Sequence, residues 1–110
     1  MNAKYNSRKG RKLQKLVAEK ILKTFRHLKK SDVTIAGTGQ NGPDIRLSRI
    51  ATRLCSFQFE CKAQNRLKTV WQWKRQSEKN TNLDGVVVMQ SNGKKPLVVI
   101  DMDLFFDLIK

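Results

Sequence analysis

Acidic residues are scarce in this 110-residue chain: 9 Asp and Glu stand against 23 Lys and Arg, a formal charge of +14. That excess is larger than solubility requires, and it favours a polyanion as partner. Cysteine is limited to Cys55 and Cys61 and histidine to His27. These exclude a disulfide framework and any Cys/His cluster with zinc-ligand spacing. No apolar run approaches the roughly 20 residues that span a bilayer. The first thirty residues are basic and amphipathic but lack the apolar block of a secretory signal. There is no internal repeat and no linker-like stretch, so one domain built on a single core is expected. Hydrophobic residues make up 39% and recur periodically, which argues against wholesale disorder.

The charge is unevenly spread. Residues 1–30 hold 11 Lys and Arg with one acid, Glu19, and residues 46–79 hold 9 with two acids, Glu60 and Glu78. Beyond Leu97 the balance reverses, with Asp101, Asp103 and Asp107 against Lys110. An anionic membrane surface is the weaker partner, because no long basic helix carries a Trp-rich face. Nucleic acid is the stronger one, held through phosphates by a field that carries no chemistry of its own.

Residues 1–9 read as a basic, flexible arm. From Gly10 to Leu28, Leu13, Val17, Ile21 and Phe25 fall at helical spacing, with Lys12, Lys15, Glu19, Lys23 and Arg26 opposite. Val33–Ala36 and Asp44–Ser48 are short strand candidates on either side of a Gly- and Asn-rich loop. Ser56–Ala63 is a better one, because it alternates strictly. Leu67–Lys79 has no Gly or Pro and reads as a second helix. Val86–Met89 and Leu97–Ile100 read as buried strands joined by a turn at Ser91–Lys94. Asp101 or Asp103 then caps a short last helix. The expected fold is a single α/β domain over residues 10–110, a mixed central sheet flanked by helices.

The alternation over residues 56–63 places Phe57, Phe59, Cys61 and Ala63 on one face and Ser56, Gln58, Glu60 and Lys62 on the other. Residues two apart on a strand are roughly 6.6 Å apart, so Glu60 and Lys62 are neighbours on the polar face. A carboxylate there can bind a hard divalent cation, and the ammonium can orient a water or stabilise charge on a phosphate. One carboxylate makes a poor magnesium site. Asp44, delivered by Gly42-Pro43 at the start of the preceding strand, supplies a second.

Gly42-Pro43-Asp44, sixteen residues ahead of Glu60-Cys61-Lys62, resembles the signature of the PD-(D/E)XK nuclease superfamily. The order of elements around it is similar to that of small Holliday junction resolvase-like and phage-type endonucleases. The resemblance spans roughly residues 7–110 and implies a restriction-endonuclease-like core of αβββαβ order. It also implies that Asp44 and Glu60, with the backbone carbonyl of Cys61, hold Mg²⁺ or Mn²⁺, while Lys62 assists the attacking water. The family acid on the first helix has two counterparts here. Gln14 faces inward at the edge of the apolar stripe, and Glu19 lies between Lys15 and Lys23 as a solvated ion-pair residue; Gln14 is taken as the site residue. A Gln on the second helix often accompanies such sites, and Gln76, rather than Gln72, matches it.

The expected function is therefore a Mg²⁺-dependent DNA endonuclease, structure-selective and acting as a homodimer that offers two active sites to two strands. Arg8, Lys9, Arg11, Lys12, Lys15, Arg46, Arg66 and Lys68 are the candidate DNA contacts. No membrane partner and no small-molecule cofactor are expected. The expected compartment is cytoplasmic, in a bacterial or phage-infected cell, without secretion. Two alternatives stand beside this reading. One is a site-specific cutter of homing or restriction type using loop 37–43 or the basic arm. The other is a non-catalytic basic nucleic-acid-binding protein, in which Glu60 and Lys62 are a solvated pair and Asp44 a turn residue after proline. Single residues have their own readings. Gly37 and Gly39 form a flexible loop, with no Lys-Ser/Thr to make a phosphate cradle. His27 is a helix-end or phosphate contact, Trp71 is core, Trp73 is an interface or base-stacking residue, and Cys61 is an inert structural thiol.

Overall fold

The apolar stripe of the first thirty residues becomes helix α1 (Ala3–Thr24). Val17, Ala18 and Ile21 are buried along it, while Lys12, Lys15, Glu19 and Lys23 are exposed. The helix begins at Ala3, so that from there on the segment expected as a flexible arm is helical. At its other end the Thr24 hydroxyl donates to the Lys20 carbonyl at 2.7 Å. The structure, a computed structural model, describes residues 3–37 and 42–110. Residues 1 and 2 of the arm, and residues 38–41 of the Gly-rich loop, lie outside the described residues. Two compact units are present, residues 1–64 with 109–110 and residues 65–108.

In the first unit, a 3₁₀ turn over Lys30–Asp32 leads into strand β1 (Val33–Ile35). This strand pairs antiparallel with β2 (Ile45–Leu47), Thr34 facing Arg46 across the ladder. Helix α1 packs on β1. The buried apolar side chains are Val17, Ala18, Ile21, Leu28, Val33, Ile45, Ala51 and Cys55. Helix α2 (Arg49–Leu54) follows directly. The sequence reading contains no helix there. The signal for it is Ser48, whose Oγ accepts the Ala51 N–H at 3.1 Å and so caps the first turn. The same hydroxyl donates to Asp32 Oδ1 at 2.8 Å, and Asp32 Oδ2 accepts the Lys29 N–H at 2.7 Å. Those bonds, the Lys29 N–H foremost and then the Ser48 hydroxyl, hold the Asp32 carboxyl below its ordinary range.

Ser56–Ala63, expected as the best strand, is irregular and belongs to neither two-stranded sheet. Its alternation still shows in burial: Phe59, Cys61 and Ala63 are half-buried, while Ser56, Gln58, Glu60 and Lys62 are exposed. Phe57, expected on the apolar face, is exposed.

The second unit opens with helix α3 (Lys68–Ser77). Strand β3 (Val87–Met89) then pairs antiparallel with β4 (Leu97–Val99), Val88 opposite Val98. Gly93 supplies the positive φ of 76° that the connecting turn requires, and the Lys94 N–H closes it on the Ser91 carbonyl at 3.1 Å. Helix α4 (Met102–Ile109) starts where the Phe105 N–H bonds the Asp101 carbonyl at 3.0 Å. Two expectations are corrected here. The apolar runs 86–89 and 97–100 are not buried throughout, because a two-stranded ladder alternates its faces. Val87 is buried, whereas Val88 and its partner Val98 on the other face are 67% and 60% exposed. Trp71 is 53% exposed rather than core.

The inward position on α3 belongs instead to Lys74, 3% exposed. Its ammonium lies 2.8 Å from Glu78 Oε2 and 3.2 Å from Asp101 Oδ2. The Glu78 hydrogen bond, followed by Asp101, raises the Lys74 pKa against the opposing effect of burial. Glu78 also accepts the Gly85 N–H at 3.1 Å, and a Cβ at Gly85 would run into the Ser77 and Glu78 side chains. The fold is thus mixed α/β, with four α-helices and two two-stranded antiparallel sheets among the described residues. No helix among these residues is long and apolar enough to cross a membrane.

Two outcomes follow from the Ser48–Asp32 cap. Ser48→Ala should lower unfolding stability in urea by about 1 kcal/mol, the usual cost of losing an N-cap. Because the Asp32 pKa is lowered by folding, its contribution is fully present above the unfolded carboxylate value of about 3.9 and fades as pH falls through the lower folded value. Thermal melts of Asp32→Asn between pH 5 and 2 should therefore show a shallower loss of Tm than the parent. An unchanged slope would remove Asp32 from the account.

Candidate active site

The Gly-Pro-Asp run has a local role that any L-residue would strain to perform. Gly42 has φ of 105°, a left-handed conformation open to glycine, and Pro43 then fixes the entry to the strand. Asp44 is anchored next: its carbonyl accepts the Ala36 N–H at 3.0 Å, closing the β1–β2 connection. With its backbone so fixed, its side chain is free to reach across to another segment. Asp44 Oδ2 accepts the Cys61 N–H at 2.7 Å, a contact between residues 17 apart in sequence.

This bond joins the two halves of the predicted constellation. The Asp44 carboxylate lies against the peptide linking Glu60 to Cys61. Glu60 Oε1 in turn lies 3.1 Å from Lys62 Nζ, both side chains largely exposed. The Cys61 thiol registers both acids. Burial first, then the Asp44 charge, then the Glu60 charge push its pKa up. The thiol is therefore held protonated at neutral pH, and Cys61 is half-buried, in keeping with an unreactive structural role.

The donors present suit a hard cation. Two carboxylates and a backbone carbonyl are oxygen ligands of the kind that Mg²⁺ and Mn²⁺ take, usually with waters and substrate phosphate completing the shell. Among the described residues no group of three or more His, Cys, Asp or Glu side chains could hold a metal ion. A cation here would thus depend on the two acids, main-chain oxygen and substrate.

Gln14 is half-buried on α1 and Glu19 exposed, which agrees with an inward Gln14 and a solvated Glu19. Gln76 and Gln72 are exposed on α3, in the second unit. No family model, curated protein or solved structure matches the chain. The weight of any functional reading therefore rests on these side chains.

The basic candidates fall in three places. Arg8, Arg11, Lys12 and Lys15 are exposed and Lys9 half-buried on α1, Arg46 is exposed on β2, and Arg66 and Lys68 are exposed at the start of α3. On α1 the exposed positions 8, 12, 15, 19 and 23 recur three or four residues apart, Glu19 being the acid among them. At about 1.5 Å per residue this stripe is roughly 22 Å long. His27 is exposed beyond the helix end.

The charged cluster that sequence reading missed is Lys74 with Glu78 and Asp101. The i, i+4 spacing of Lys74 and Glu78 was visible. Lys74 also follows Val70 by one turn, on the inward side of α3, but nothing local announces Asp101.

Removing the negative charge at position 44 while keeping its shape should release the thiol. Asp44→Asn is expected to lower the Cys61 pKa and to speed its alkylation by iodoacetamide at pH 7–8, read by mass spectrometry of the labelled peptide. Equal rates in the two proteins would place Asp44 away from Cys61 in solution.

Proposed function

We propose that the protein is a divalent-cation-dependent phosphodiesterase that cuts DNA as an endonuclease. The observation that carries this reading is the Asp44–Cys61 hydrogen bond, which sets one carboxylate beside the Glu60-Cys61-Lys62 run. The exposed Glu60–Lys62 pair supports it too. Such a pair adds little to stability, so its acid and amine remain available to a substrate at the surface. The finer architecture, a restriction-endonuclease-like core of αβββαβ order, belongs to this proposal.

In this reading Asp44 and Glu60, with the Cys61 carbonyl, hold Mg²⁺ or Mn²⁺. When bound, the cation supplies charge neutralisation at the scissile phosphate and acidifies water. Asp44 keeps its orientation through the Cys61 N–H. Glu60 positions the Lys62 amine, which orients the attacking water and offsets charge that builds on the phosphate. Gln14 on α1 holds water or substrate through its amide. The α1 stripe with Arg46 tracks the sugar-phosphate backbone, which fixes position without reading sequence. Binding by backbone geometry fits a structure-selective cutter, working as a homodimer so that each strand meets one site.

The test compares linear, nicked and four-way-junction DNA with and without Mg²⁺ or Mn²⁺. Cleavage should require the cation, prefer the junction and stop on chelation. Asp44→Ala and Glu60→Ala should each lower cleavage at least about a hundredfold, the scale of a lost charge-stabilising group, while DNA affinity stays within a few-fold. Cleavage retained in both variants would refute the assignment. Tight binding without nicks under any cation would leave a non-catalytic nucleic-acid-binding protein.

A further inference from the structure

Within the second unit, an open groove of about 730 Å³ runs beside the β3–β4 hairpin. Trp73 of α3 forms one wall, Val87, Met89 and Leu97 form the apolar floor, and Lys94 and Lys95 stand at the turn. Trp73 is 45% exposed, a large aromatic surface left in contact with solvent. No acidic residue lines the groove. Neither Lys94 nor Lys95 is in an ion pair among the described residues. The turn that carries these lysines is braced: the Gln90 side-chain amide donates to the Lys94 carbonyl at 3.1 Å, and the Lys94 N–H bonds Ser91. The backbone at Lys94 is thus held at a braced hairpin end.

We propose that this groove binds an unpaired stretch of nucleic acid, one base stacked on the Trp73 indole and the flanking phosphates held by Lys94 and Lys95. The chemistry matches on both counts. An unstacked base offers a flat π-face to an indole regardless of its identity, and its backbone carries anionic charge within reach of the rim. A duplex keeps its bases stacked and paired, so it offers the groove phosphates alone. An acidic peptide would meet the lysines but would leave the indole without a flat partner. Asp44, Glu60 and Lys62 are not among the residues that line it. The inference rests on the nucleic-acid partner of the proposed function and not on its cleavage chemistry. For a branch-selective enzyme it adds a way to prefer DNA that exposes unpaired bases.

The experiment uses the full chain carrying Trp71→Phe, so that Trp73 is the sole indole. Titration with a fluorescently labelled oligothymidine of about 12 nucleotides, within the usual span of single-strand sites, is followed by tryptophan emission and by anisotropy of the label. Single-strand binding should quench Trp73 emission, and a duplex of equal length should bind with little quenching. The double variant K94E/K95E should weaken oligothymidine binding roughly tenfold or more, with a smaller effect on duplex. Single-strand binding without quenching would overturn the proposal while leaving the nucleic-acid reading intact. Loss of both single-strand and duplex binding would overturn both. If Trp73 emission instead changes with protein concentration alone, in step with self-association measured by sedimentation, the groove is an interface between copies and the proposal falls.

Discussion

A single hydrogen bond, from the Cys61 N–H to the Asp44 carboxylate, sets what the first unit can do. It is charge-assisted, and such bonds are shorter and stronger than neutral ones. It also ties residues 56–64, which belong to neither two-stranded sheet, to the start of β2. Through it the Glu-Cys-Lys run is tied to the acid that precedes it by sixteen positions. The left-handed Gly42 and the Ala36–Asp44 backbone bond hold the acceptor still, so that one side chain can organise a distant peptide.

Charge is handled in two ways along the chain. On α1 it stands exposed at Arg8, Lys12, Lys15 and Lys23, repeated along the helix, where it adds to the field of the whole chain. In the second unit it is taken inside: Lys74 is buried and both of its partners are carboxylates. Burial of an ammonium is tolerable only with such partners, because an unpaired charge in that position would neutralise or force the helix away. The cluster links α3 to the start of α4 through Asp101, and Gly85 passes close enough to give Glu78 its second donor. It serves the fold and lies outside the candidate chemistry.

Much of this was legible in advance where the cause is local. The α1 stripe, the α3 helix, the hairpin turn with its Gly93 and the last helix each follow from periodicity or turn chemistry within a dozen residues. The alternation of Phe59 to Lys62 is visible in burial even where no ladder forms. Helix α2 was missed because its signal is one serine cap and six residues, too short for a period to show. Trp71 falls with Leu67 and Val70 along the helix, a spacing that points to the core, but α3 turns Lys74 inward and leaves Trp71 largely exposed.

Sequence by itself determined the sign of the field, the presence of paired acid and amine at positions 60 and 62, and the Gly-Pro turn that aims Asp44. These depend on residue type and short-range spacing, which the chain carries in its order. Tertiary structure alone decided that Asp44 bonds the Cys61 peptide, that Lys74 finds Asp101, and that Trp73 borders a lysine-rimmed groove. Each of those joins groups far apart along the chain, and only the folded path of the backbone determines which distant groups meet.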